Sequence, residues 1–331
     1  DVYKRQVGDV SEPGGNALSW LSPFAWVQQT RPFDTLEWWP LALYPAAAAV
    51  LFAIAHTLAG RRDLGAGLVA TRPGPSGAGP LLRGMSALHL HQQRGAVLTW
   101  SVAVFVLALS FGTLAPEVES MIDSNPDLAV ILGGDTDDLV GGFLGTIGLY
   151  VLMGAGAFGA LSVLRARAEE SAGRAEMVLA TAVGRTRWMG SALLVAAAAT
   201  ALVTVAGGLG LGLGAAVTLE DNAWTGRMVE AALAGLPAAL AFGALVALLF
   251  GTVPRWIPLV WVWLGYSVFA TMLGALLGMP DAAMRASAFE ILPALPMDGF
   301  ETVPFLLYLG AVLLAGAVGL AGFGRRDLVT A

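Results

Sequence analysis

Seven stretches of this sequence stay apolar for about 20 residues, the helical length that crosses a bilayer core roughly 30 Å thick. They run approximately from Trp39 to Ala59, Ala96 to Ala115, Leu139 to Leu164, Ser191 to Ala216, Ala231 to Val253, Ile257 to Gly278 and Val303 to Phe323. None of them contains Asp, Glu, Lys or Arg. A lipid-facing backbone must satisfy its own hydrogen bonds, so such stretches are helices. The chain is 56% hydrophobic and only 13% charged, where soluble domains carry about a quarter charged residues. The expected fold class is therefore all-α, a polytopic membrane protein with seven transmembrane helices.

Arginine sets the expected orientation, because loops on the inner side of a membrane are enriched in basic residues. The segment from Gly60 to Gly95 carries Arg61, Arg62, Arg72, Arg83 and Arg94, whereas Pro116 to Asp138 is acidic without a basic residue. By alternation Arg165, Arg167, Arg174, Arg185, Arg187, Arg255, Arg325 and Arg326 fall inside. Beyond the first six residues only Arg31, Arg227 and Arg285 fall outside. The pattern predicts a multi-pass protein of the bacterial plasma membrane with a cytoplasmic C-terminus.

Two of the apolar stretches belong to an ungapped repeat. Leu43 to Leu64 (LYPAAAAVLFAIAHTLAGRRDL) and Leu307 to Leu328 (LYLGAVLLAGAVGLAGFGRRDL) match at a fixed offset of 264 residues, as from Arg62 to Arg326. Repeated membrane segments in one orientation point to a duplicated transporter-like architecture. Only the tail of a first copy precedes the second, so the expectation is a fragment whose N-terminal half lies upstream. Asp1 to Gln6 (DVYKRQ) reads as translated sequencing adapter and carries Lys4, the single lysine. The expected organisation is adapter at 1–6, the end of the first half at 7–60, a cytoplasmic linker at 61–95 and a second six-span half at 96–331.

Within the linker, Ala70 to Pro80 has the Pro/Gly/Ser composition of a flexible connector. Leu81 to Arg94 mixes apolar and polar residues and is expected either to lie along the inner surface as an interfacial helix or to continue the linker. His89 and His91 point to different faces of a helix and make a poor chelate, so no metal site is expected. The chain has no cysteine, which excludes disulfides, thiolate metal sites and a cysteine nucleophile.

The loop from Arg165 to Met189 (RARAEESAGRAEMVLATAVGRTRWM) concentrates charge. As one helix it would place Arg165 with Glu169 and Glu170 with Arg174 as i,i+4 pairs, and Met177, Val178 and Leu179 would add apolar surface. Such a helix suits a soluble partner, though any inner loop is charged. The run Glu169, Glu170, Gly173, Arg174, Glu176, Leu179, Ala180, Arg185, Arg187, Trp188 resembles the E-E-x-x-G-R-x-E-x-x-L-A…R-x-R-W signature of permease subunits of ABC exporters of the polyketide-antibiotic exporter group. The R-R-D-L-G-A-G-L run (Arg61 to Leu68) and the repeat spacing are similar as well.

That resemblance implies a permease exporting a hydrophobic compound (an antibiotic, drug or lipid-like molecule) as in multidrug efflux. It also implies alternating access driven by a separate cytoplasmic ATPase dimer, which would bind ATP-Mg. This chain would then hold no cofactor, catalyse no reaction and bind no nucleic acid. Glu169, Glu170, Gly173, Arg174, Glu176, Leu179, Arg185, Arg187 and Trp188 would form the ATPase-coupling loop.

Elsewhere the glycines Gly208, Gly210, Gly212 and Gly214, and the stripe Gly141, Gly145, Gly148, suit close helix packing. Trp256 reads as an interfacial anchor, while Trp261, Trp263 and Tyr266 are a possible stacking surface on a substrate path. Met279 to Thr302 is rich in proline, and the same resemblance implies short re-entrant helices near the outer gate at this position. The alternative is an ion-coupled secondary transporter, which normally places ionisable residues in its spans; here His56 is the one candidate. No P-loop, H-E-x-x-H or G-x-S-x-G is present, which disfavours nucleotide hydrolysis or catalysis by this chain.

Overall fold

The computed structural model describes residues 20, 23–30, 36–60, 77, 79, 82, 84–124, 136–292 and 299–326. The adapter-like start, Arg61 to Leu68, most of the Ala70 to Pro80 connector, and Asp327 with Leu328 lie outside them. All regular elements among the described residues are helical. The chain divides into two compact units, 1–76 and 77–331.

In the first unit, α1 (Pro23–Gln28) and a 3-10 turn (Trp39–Ala42) lead into α2 (Leu43–Gly60). Aromatic residues tie this entry together. Trp20 stacks on Trp39 with centroids 5.1 Å apart, Trp26 meets Tyr44 edge-on, and the Tyr44 hydroxyl donates to the Pro23 carbonyl at 2.6 Å. Amphipathic aromatics favour a membrane–water boundary. Beyond them α2 exposes Leu51 and Phe52, a surface suited to lipid.

The second unit holds α3 (Met85–Gly112), α4 (Ala115–Ser124), α5 (Thr136–Ser171), α6 (Arg174–Leu179), α7 (Arg185–Thr218), α8 (Ala223–Ala234), α9 (Leu236–Thr252), α10 (Leu259–Leu273), α11 (Asp281–Met284) and α12 (Thr302–Arg325). Across both units seven helical segments are long and apolar enough to cross a membrane: Trp39–Gly60, Met85–Val118, Leu139–Ser171, Arg185–Thr218, Ala223–Thr252, Pro254–Leu273 and Thr302–Arg325. Each contains most or all of one sequence-derived span.

Helix α7 is central, packed on α3, α5 and α8, while α9 packs on α5 and α12. The glycine run in α7 explains how two of these neighbours fit. Gly210 and Gly214 face α3, where an added Cβ would collide with the Phe105 and Leu109 carbonyls; Gly208 and Gly212 face α8 and would collide with Ala232 and Thr225. Residues four apart share a helix face, so alternate glycines serve two different crossings. Between the helices, Phe242, Val246, Phe250 and Phe323 are fully buried. Burying each such side chain contributes about 1.5–3 kcal/mol relative to exposure in water.

The structure revises the reading of Leu81 to Arg94. From Met85 onward this segment is neither linker nor a separate surface helix; it forms the first turns of α3. The reason is a continuous buried stripe: His89, Gln93 and Val97 succeed one another at i,i+4 on the packed face, and Gln93 is hydrogen-bonded to Ser162 of α5.

Candidate functional site

The charged loop is not one helix. Helix α5 ends at Ser171, and Gly173, with φ 71°, takes the left-handed conformation that stops it. Helix α6 then makes fewer than two turns before Gly184, in extended conformation, opens α7. This break changes the charge pairing. The expected i,i+4 pairs Arg165–Glu169 and Glu170–Arg174 are replaced by two others.

Glu169 crosses the Gly173 turn to Arg174. The guanidinium donates from Nε at 2.9 Å and from Nη2 at 2.8 Å, a bidentate pair on the surface. Five residues past the end of the apolar run, the Glu169 carboxyl is held below its ordinary range chiefly by the Arg174 hydrogen bond. The Arg174 guanidinium is raised by the same contact.

Glu170 turns inward instead. Its side chain is buried and accepts from Arg326 Nη2 at 2.5 Å, across 156 residues of sequence. The Arg326 guanidinium lies over the rings of Phe250 and Phe323, 4.9 and 5.0 Å from their centroids, a geometry that favours a cation. Arg185 Nη1 donates to the Arg326 carbonyl at 2.7 Å. Trp188, 2% exposed, stacks on Phe323 with centroids 5.5 Å apart and meets His89 edge-on. One cluster thus joins the starts of α3 and α7 to the ends of α5, α9 and α12. The second Glu170 oxygen, Oε1, is buried without a hydrogen-bond partner among the described residues.

Glu170, Arg185 and Trp188 are therefore brought together. Gly173 shapes the loop, and Leu179 is half-buried against the core with Val178 and Val183. Glu176, Arg187 and Met177 are exposed, Met177 by 69%. Sequence reasoning missed Phe250, Phe323 and His89 as members of the cluster. Arg326 was visible only as part of the repeated G-R-R-D-L, which carries no sign of its partner.

The three candidate stacking residues do not present a common face. Trp261 is exposed on α10, whereas Trp263 and Tyr266 point to the segment after α10. Trp263 Nε1 donates to the Ala286 carbonyl at 3.0 Å and the Tyr266 hydroxyl to Ala283 at 2.6 Å.

Residues 82–324 match the family described as multidrug efflux system permease Rv1217c, C-terminal domain. The chain is 35% identical over 328 residues to the multidrug efflux system permease protein Rv1217c of Mycobacterium tuberculosis (strain ATCC 25618 / H37Rv). That alignment takes in 98% of this chain and 59% of the relative, so the chain spans about three fifths of the relative's length.

Proposed function

The chain is a multi-pass membrane protein of the multidrug efflux system permease family whose C-terminal domain it matches, and from that premise we propose that it is the permease part of an ATP-driven ABC exporter. It moves a hydrophobic compound out of a bacterial cell by alternating access, and ATP-Mg is bound and hydrolysed by a separate cytoplasmic ATPase dimer. The chain contributes no catalysis.

The observation that carries this reading is the loop between α5 and α7. A short helix, α6, presents exposed Arg174, Glu176 and Met177, while Glu170, Arg185 and Trp188 at its two roots are tied into the helix bundle. A force applied to α6 by a partner would reach α3, α9 and α12 through packed side chains and not through a slack connector. The positions match the coupling-loop residues of the resembling exporters, with the arginine-rich end inside the cell.

Cross-linking tests it. These 331 residues contain no cysteine, so Met177→Cys places one thiol within them, and any cysteine elsewhere in the protein is replaced by serine. In membranes where the permease is co-expressed with a candidate P-loop ATPase, that thiol is expected to cross-link to the ATPase, and more so with ATP bound. Absence of any cross-link, with the two proteins co-expressed and folded, overturns the partnership.

A further inference from the structure

Met279 to Leu292 does not simply connect α10 to α12. After α11 it doubles back along α10 and enters the bundle, where Ser287 and Ala288 are fully buried and Phe289 is 5% exposed. Besides the Trp263 and Tyr266 bonds, the Ala288 N–H donates to Ser267 Oγ at 3.1 Å. The Ser287 hydroxyl lies 3.1 Å from that of Thr271, and the Tyr308 hydroxyl donates to the Ala288 carbonyl at 3.0 Å. Phe289 packs on Phe242, 5.5 Å between centroids. Side chains of α10 and α12 thus hold this segment as a preformed plug.

Beneath the plug lies a cavity of about 240 Å³ among α5, α7 and the α8–α9 segment. It sits where that membrane-crossing segment is interrupted: α8 stops at Ala234, Gly235 intervenes, and Pro237 in the first turn of α9 lacks a backbone donor. Interrupted helices inside a membrane typically line cavities and binding sites. The walls are apolar or small, including Gly148, Leu152, Gly208 and Gly235. One ionisable side chain lines it, Glu290 of the plug, and among the described residues it makes no hydrogen bond or ion pair.

We propose that this cavity binds an organic cation with an apolar body, its charge opposed by Glu290. The inference rests on the permease reading and names a substrate class and a site for it. Glu290 is partly exposed at the mouth of an apolar pocket and lacks an opposite charge among the described residues, so a bound cation would supply one at short range. A cation with an apolar body supplies that charge and fills the space, whereas a neutral molecule or a lipid tail fills the space alone. The plug's hydrogen bonds fix the backbone immediately before Glu290, which lowers the ordering cost of binding.

The test is equilibrium binding to the full chain in phosphatidylcholine nanodiscs, followed by probe fluorescence. The probes are 4-(4-dimethylaminostyryl)-N-methylpyridinium and its uncharged parent 4-(4-dimethylaminostyryl)pyridine, at a pH where the parent is neutral. The cation is expected to bind saturably and more tightly than its parent. Glu290→Gln should weaken the cation by roughly tenfold or more and leave the parent within about twofold. Gly148→Leu, whose side chain would enter open space, should weaken both.

Equal binding of the cation by wild type and Glu290→Gln, or no preference for the cation, overturns the proposal. So does undiminished binding to a folded Gly148→Leu. Should Glu290→Gln not fold, Glu290→Asp serves: it must keep the cation preference, and its loss counts against the site. Binding requires neither ATP nor partner, so failure of the exporter reading would leave this result standing, and the reverse.

Discussion

Arg326 holds Glu170 through a 2.5 Å ion pair that joins the C-cap of α12 to the end of α5. Phe250 and Phe323 lie under the Arg326 guanidinium, and the pair is largely shielded, the side chains being 6% exposed for Glu170 and 15% for Arg326. The second arginine of the R-R-D-L run near the C-terminal end of α12 thus clamps the charged loop.

Removing one member of a buried pair strands the other. Glu170→Ala and Arg326→Ala are each expected to destabilise the bundle by roughly 3–5 kcal/mol, and the double substitution by much less than their sum. Pulse proteolysis of the purified chain in detergent measures this. Additive losses would show that the two side chains act independently.

The crossing of α9 and α12 leaves no room for a side chain. A Cβ at Gly251 would collide with the Gly319 carbonyl, so Gly251→Val should separate the two helices and abolish the monodisperse species on size-exclusion chromatography. Gly226, on the exposed face of α8, meets nothing within 4 Å. Gly226→Ala should fold normally, and even gain about 0.5–1 kcal/mol from helix propensity.

The Glu169–Arg174 pair should behave oppositely to Glu170–Arg326. It is exposed, and surface pairs contribute little. Glu169→Gln is expected to leave the thermal midpoint essentially unchanged at neutral pH. The folded-state Glu169 pKa is depressed, so whatever the pair contributes is present above the ordinary carboxylate pKa and is lost only as pH falls through the lowered value. A thermal-shift titration across the acidic range should show any small difference between wild type and Glu169→Gln at neutral pH disappear at its acid end.

The plug makes a further claim open to hydrogen exchange. Tyr266→Phe and Trp263→Phe each remove one bond to its backbone, worth about 1 kcal/mol. Amides of 286–289 should exchange roughly fivefold faster in each variant, while those of α7 remain unchanged. Uniform acceleration of both regions would mean general destabilisation and not a released plug.

Much of the architecture was legible in the sequence, for a physical reason. In a bilayer every backbone polar group must be satisfied within its own segment, so a run of apolar residues specifies a helix and its length specifies a span. All seven apolar runs fall on long apolar helices. The glycine-rich stretch of α7 announced close packing, though not that Gly210 and Gly214 serve α3 while Gly208 and Gly212 serve α8. Met85 to Arg94 was harder, because its buried stripe is polar: His89 and Gln93 lie on the packed face among partners that are remote in sequence.

The charged loop shows the same limit. Its residue types and its Gly173 were readable, but the choice between Arg174 and Arg326 as partner of Glu170 was not. Local spacing offered Arg174 at i+4. A left-handed turn at Gly173 ended the helix before that geometry could form, and the meeting of α5 with α12 delivered a better-shielded cation.

By itself the sequence determined the class of the molecule: an all-helical chain with seven apolar segments long enough to cross a bilayer. Those properties depend on transfer of whole segments between water and lipid, which composition records. Only the tertiary structure decided which charges pair, which aromatic rings hold the plug and where a cavity opens beside Glu290. Such contacts depend on helix crossings a few ångströms apart in space and scores of residues apart in the chain, and no local pattern encodes them.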